Sequence, residues 1–294
     1  MEKMKNLLVC VDLSEMDEVL MKYASMVSKL LDSEKIFFLH AMPSDSLSIE
    51  EKEDLVSQIK NNTQKFFAGN ATIEQHIELK AQPCAEDFNK TIEANDIDLV
   101  IVGRKLRGQG SHTTPKEMLK AIECSTLFVP DCAVADINKI IVPVDFSGES
   151  EQDIKLAIDF AKKNSAEIIF NNVYTVPSGY SSLGKSYEEY AEIMKKNVEE
   201  AFGNFIVKFD LTAIQYRSIY VLDDDKKPAD KIYAAAKREK ADIIIIDSKG
   251  KSFVASIMLG SVTEDLTDFD NEIPLFIIKD ERESVGFLEA LFRI

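Results

Sequence analysis

Apolar residues in this sequence gather into short unbroken runs that alternate with longer stretches of helical spacing. The clearest run is Ile243 to Ile246, β-branched throughout, apolar toward both sides and too short to span a membrane. It predicts the central strand of a parallel sheet covered by helices on both faces. Comparable runs within 5–12, 33–41, 72–79, 97–103 and 126–129 predict five strands, and 138–145, 165–173, 212–220, 241–247 and 274–278 predict five more. Between them, 16–31, 49–67, 85–95, 150–163, 187–209 and 229–240 carry apolar residues at helical spacing and predict amphipathic helices.

The alternation occurs twice. NLLVCVDLS, from Asn6, returns as KIIVPVDFS, from Lys139, each a strand ending in Asp-x-Ser, with Ser14 or Ser147 placed to cap the next helix. Strands alternating with helices predict parallel βαβ units. The expected fold is α/β: two Rossmann-like domains, each a five-stranded parallel sheet of order 3-2-1-4-5 with helices on both faces. The expected boundaries are 1–132 and 137–280, with 131–137 as linker and 281–294 as an amphipathic C-terminal tail that packs on the opposite domain or on a second subunit.

In such sheets ligands bind beyond the carboxyl ends of the strands. After the Ile243 to Ile246 run come Gly250, nine residues, and then Gly260, Ser261 and Val262 at a helix start. Glycines admit bare backbone N–H groups close to an anion, and a helix N-terminus favours negative charge. Gly250, Lys251 and Ser252 imitate the end of a P-loop, but the first glycine of that motif would fall on Ile245 inside the strand, so the motif is rejected.

Composition narrows the classes. The chain has 294 residues and a formal charge of −16, which disfavours nucleic acid and anionic membrane surfaces as partners. Cys10, Cys84, Cys124 and Cys132 form no CxxC, and His40, His76 and His112 are scattered, so no zinc set and no catalytic triad is expected. Asp223, Asp224 and Asp225 lack the glycine and distal glutamate of a calcium loop and read as a solvated turn. Asp98 and Asp242 read as turn residues. A short apolar N-terminal run that is no signal-peptide core, with no window near the ~20 apolar residues of a spanning helix, gives a cytoplasmic expectation.

The paired strand ends and the Gly250 to Ser261 spacing resemble a tandem universal stress protein, an adenine nucleotide alpha hydrolase-like fold, over both halves of the chain. The resemblance implies ATP or a related adenine nucleotide in the second half, a regulatory ligand with little or no hydrolysis. Position by position, it implies Pro143 beside the adenine, Asp145 at the ribose and Val173 offering backbone groups to the base. Gly250, Gly260, Ser261 and Val262 would hold the phosphates. It also implies an intramolecular pseudo-dimer along the fifth strands, with a homodimer as a further assembly.

Asp247 stands where the family's first motif glycine is expected. A carboxylate about 4 Å from a phosphate charge costs roughly 4 kcal/mol at an effective dielectric near 20. Binding then requires that Asp247 turn away, bond a ribose hydroxyl or hold a bridging Mg²⁺. The first half keeps Gly103 but has Leu106 at the second glycine and His112 opposite Gly260, a degenerate copy. Its Asp12 is expected to bond loop N–H groups rather than a ligand. The alternative function is an interaction module of the same family with both clefts empty; a slow ATPase is third.

Overall fold

The computed structural model describes residues 4–42, 44, 46–69, 72–81, 84–104, 115–146, 151–178, 184–248, 260–269 and 272–279. Gly250, the loop 249–259, Ser147, His112 and the tail 281–294 lie outside the described residues. The first half runs β1 (Asn6–Val11), α1 (Met16–Leu31), β2 (Lys35–Met42), α2 (Ile49–Phe67), β3 (Glu74–Ala81), α3 (Ala85–Ala94), β4 (Leu99–Arg104), α4 (Pro115–Ala121) and β5 (Ser125–Pro130). The second runs β6 (Lys139–Pro143), α5 (Glu151–Asn164), β7 (Glu167–Tyr174), α6 (Tyr187–Ile206), β8 (Tyr216–Leu222), α7 (Pro228–Glu239), β9 (Ile243–Asp247), α8 (Ser261–Asp268) and β10 (Leu275–Ile278).

Two compact units result: Met1–Asp136 with Asp270–Ile294, and Ile137–Phe269. The first unit carries the expected parallel order β3-β2-β1-β4-β5, and the second repeats it as β8-β7-β6-β9. One strand departs from the parallel pattern. β10 joins the first unit antiparallel to β5, pairing Leu275 with Phe128 and Ile277 with Thr126, so that sheet is mixed. Every residue of β5 is buried, and β10 covers the edge that such an apolar strand would otherwise expose.

Local chemistry repeats as faithfully as topology. Ser48 and Glu51 form a reciprocal capping box at the start of α2, and Ser186 and Glu189 form its copy on α6. Asp98 Oδ2 accepts the N–H groups of Lys5 and Asn6 at 2.6 and 2.8 Å, tying the start of β4 to that of β1. Asp242 Oδ2 does the same for Asn138 and Lys139, both at 2.8 Å. These aspartates are therefore inter-strand clamps rather than simple turn residues. β8 starts later than the apolar pattern predicts because Ala213 takes a left-handed φ of 63° inside a turn closed by Ile214 N–H on Leu211 O.

Candidate functional site

In the second unit β6 ends at Pro143, and the next amide, Val144 N–H, donates to Asn171 O on β7 at 2.9 Å. Successive amides of a parallel strand point to opposite neighbours, so the missing N–H of Pro143 is one that would have faced β9. The β6–β9 register stops at Ile141 with Ile244, one pair short of the equivalent β1–β4 ladder, which reaches Val9 with Ile101. Pairing therefore ends early where strand order reverses, the crevice position of open α/β sheets. Asp145 follows, half-buried, and Phe146 turns the chain with a left-handed φ of 62°.

The facing edge comes from β9 and α8. Gly260 is the N-cap of α8, and its N–H donates to Ser248 O at 2.8 Å. Thr263 Oγ1 donates to Asp247 O at 2.9 Å. Two hydrogen bonds thus pin the first turn of α8 to the end of β9. Gly260 spends its own amide on that anchorage; the amides of exposed Ser261 and half-buried Val262 lie in the first turn, where the helix supplies no acceptor. The structure brings Pro143, Asp145, Val173 and Asp247 to the carboxyl ends of adjacent strands and places Gly260, Ser261 and Val262 at the helix start, while Gly250 is outside the described residues.

A carboxyl that the sequence reading missed lies beneath this edge. Asp153, on α5, is 1% exposed and Asp247 8%. Burial, then the charges of Asp247 and Asp145, hold the Asp153 carboxyl well above the usual carboxylate range, with the Ile154 N–H bond at 2.7 Å opposing. Its signal was present in the sequence: Asp153 falls on the stripe of Ala157 and Phe160, the buried face of the helix. Asn171 and Asn172 were also missed, although consecutive amides in a buried strand are unusual. Asn172 Nδ2 donates to Val144 O at 2.7 Å.

The first unit fills the same ground with its own side chains. Ser14 N–H donates to Asp12 Oδ1, as expected of a loop aspartate, and Met16 N–H to Ser14 Oγ, although the N-cap itself is Glu15. Leu13 has the left-handed φ of 62° also seen at Phe146, which turns neighbouring amides inward as an anion nest. Asp17 occupies that nest, accepting Asp12 N–H and Leu13 N–H at 3.1 and 2.9 Å. Burial raises its pKa against the two bonds that lower it. His40 Nδ1 lies 3.0 Å from Val11 O, and His76 stacks on Phe37 and pairs with Glu74. Asp224 and Asp225 both pair with Lys231, whose ammonium takes the place a cation would need.

The universal stress protein family profile matches residues 3–130 and again 136–268. A universal stress protein of Methanocaldococcus jannaschii is 29% identical over 157 residues, covering 48% of this chain and 94% of that protein. A second from the same organism is 28% identical over 148 residues, 50% of this chain and 84% of its own length. Among solved structures, a universal stress protein from Archaeoglobus fulgidus superposes with a TM-score of 0.64 at 18% identity, covering 95% of this chain and 99% of its own. Each curated relative matches about half of this chain, whereas the Archaeoglobus structure matches nearly all of it.

Proposed function

The chain belongs to the universal stress protein family, and from that premise we propose that its second half binds ATP or a related adenine nucleotide as a regulatory ligand in the stress response of the cytoplasm. The observation that carries this reading is the first turn of α8. Its start is pinned to β9 by the Gly260 and Thr263 hydrogen bonds, with the Ser261 and Val262 amides beyond, next to a strand pair whose ladder ends early at Pro143. Asp145 supplies the ribose contact and Val173 the base-edge contact in this reading, and Gly250 completes the phosphate loop.

The first half is a packing copy, because Asp17 already satisfies the amides of its strand end. Hydrolysis is slow or absent, since no base is positioned among the described residues. Mg²⁺ accompanies a triphosphate to offset the carboxylate of Asp247. The two halves form the intramolecular pseudo-dimer of the family; the expected limit of 280 for the second domain gives way to Phe269, because β10 pairs with β5 of the first unit.

Mass spectrometry of acid-released ligand, followed by titration calorimetry with Mg-ATP to about millimolar, tests the reading. Neither bound nucleotide nor heat would remove it. Gly260→Leu is expected to abolish binding and His112→Leu to leave it intact; equal losses would undo the asymmetry between halves. The second reading, an interaction module with empty clefts, is favoured by one observation, the buried Asp247 and Asp153 carboxyls under the crevice.

A further inference from the structure

Asn171 presents a different kind of signal. It is 1% exposed, and both its Oδ1 and Nδ2 lack a hydrogen-bond partner. Buried amides without partners are rare in native proteins, and a ligand absent from the structure is one of the few physical reasons for one. The repeat supplies a control: aligning β7 with β2 through their pairs with β6 and β1 puts Leu39 where Asn171 stands. The fold therefore accepts an apolar side chain at this place, and the second unit has replaced it with an amide.

Its position is at the crevice. Asn171 pairs in register with Pro143, so the two side chains share one face of the sheet. Val173, two residues on, shares that face too, and both Pro143 and Val173 are partly open. The opposite face, at Phe170, is closed by Phe202 and Tyr216. The unpaired amide thus stands at the inner end of a partly open strip beside the proline that ends the β6–β9 ladder.

An asparagine amide offers one acceptor and two donors in a plane. This matches the edge of adenine, where the exocyclic amino group donates beside a ring-nitrogen acceptor. We propose that Asn171 is the specificity-determining residue of this cleft, its side-chain amide reading the edge of an adenine base alongside the backbone groups of Val173. This rests on the nucleotide reading above and adds to it the residue that selects the base.

The full-length protein tests it with two probes, Mg-ATP and the purine riboside triphosphate that lacks the 6-amino group. The wild type is expected to bind ATP about tenfold or more tighter than the analogue, the usual discrimination for a bidentate base contact. Asn171→Leu, the residue of the other half, is expected to cut that preference by about threefold or more while weakening ATP. It should also raise the thermal midpoint of the ligand-free protein, since an unpaired buried amide is removed. A structural amide would instead show a lowered midpoint with discrimination unchanged, and that result overturns the proposal. Equal affinity of wild type for the two probes overturns it without any variant. Wild type that binds neither probe removes the nucleotide reading as well, so the two failures are distinguishable.

Discussion

Asp247 ends β9 beside the buried carboxyl of Asp153 on α5, in the register place where the first unit sets Gly103 against Leu20. Both members of the pair have changed together, glycine to aspartate on the strand and leucine to aspartate on the helix. A carboxylate facing Leu20 would be buried without compensation, whereas beside Asp153, whose pKa is raised by burial and by the Asp247 charge, the repulsion between the two carboxyls is relieved by proton uptake. The departure from glycine at position 247 is therefore accommodated from below, by α5.

The pH dependence of stability follows from this pair. Asp153 has a folded-state pKa above its unfolded value, so its protonated form stabilises the fold at low pH, and that contribution is lost as pH rises through the folded pKa. Asp153→Asn keeps the shape and removes the titration. We expect its thermal midpoint to exceed that of the wild type at about pH 7, with the difference shrinking toward about pH 4. Each kcal/mol gained is worth about 2–4 °C in a chain of this size. Midpoints that run parallel across the range would show that Asp153 carries no such linkage.

The reverse graft tests the same relationship in the first unit. A Cβ built at Gly103 meets Met16 Cγ at 2.8 Å, Met16 Cε at 3.1 Å and Leu20 Cδ1 at 3.3 Å. Gly103→Ala is expected to cost about 1–2 kcal/mol, because the methionine end can yield in part. Gly103→Asp should cost about 3–5 kcal/mol, since it adds an unpaired buried carboxylate. Urea denaturation of both variants measures the gap. If they are equally stable, Leu20 does not enforce an apolar partner and the paired exchange was accidental.

The parallel order of strands was legible because β-branched runs and helical spacing alternate twice with the same punctuation. The direction of β10 was not, since Leu275 to Ile278 is apolar at every position and carries no mark of which strand edge it covers. In the candidate site, Gly250 and the helix start at Gly260 could be found from spacing, whereas Pro143 and Val173 came only from the family resemblance. Asp153 and Asn171 escaped because a polar residue on a buried stripe looks like noise until packing shows what lies opposite. The clamps of Asp98 and Asp242 escaped for another reason: each bonds amides about a hundred residues away, a distance no local pattern reports.

Those clamps give a third expectation. Each carboxylate accepts two backbone N–H groups, and charge-assisted bonds of this type are stronger than neutral ones. Asp98→Ala and Asp242→Ala should each lower stability by about 1–3 kcal/mol. The clamps lie in different units and share no partner, so the double variant should add within about 0.5 kcal/mol. Guanidinium melts of the three proteins test it, and a loss in the double variant no larger than in either single one would show that only one clamp bears on folding.

Lys279, just beyond β10, gives the last. Its Nζ donates to the carbonyls of Leu119 and Ile122 at the end of α4, and its N–H donates to Ser125 Oγ at 3.1 Å. Burial pushes the ammonium down to about 8, with Cys124 and Glu123 pulling the other way. A lysine with a lowered folded pKa sheds its proton before the unfolded chain does, so stability rises as pH climbs through about 8 toward the ordinary value of 10.5. The neutral amine keeps two hydrogens, enough for both carbonyls, so the cap survives deprotonation. Lys279→Met fills the space and leaves the carbonyls without their donor. It should therefore be less stable than wild type at about pH 8 by about 1–3 kcal/mol, and the deficit should widen toward about pH 10. A deficit that narrows over that interval would mean the charge, and not the two hydrogen bonds, holds the end of α4.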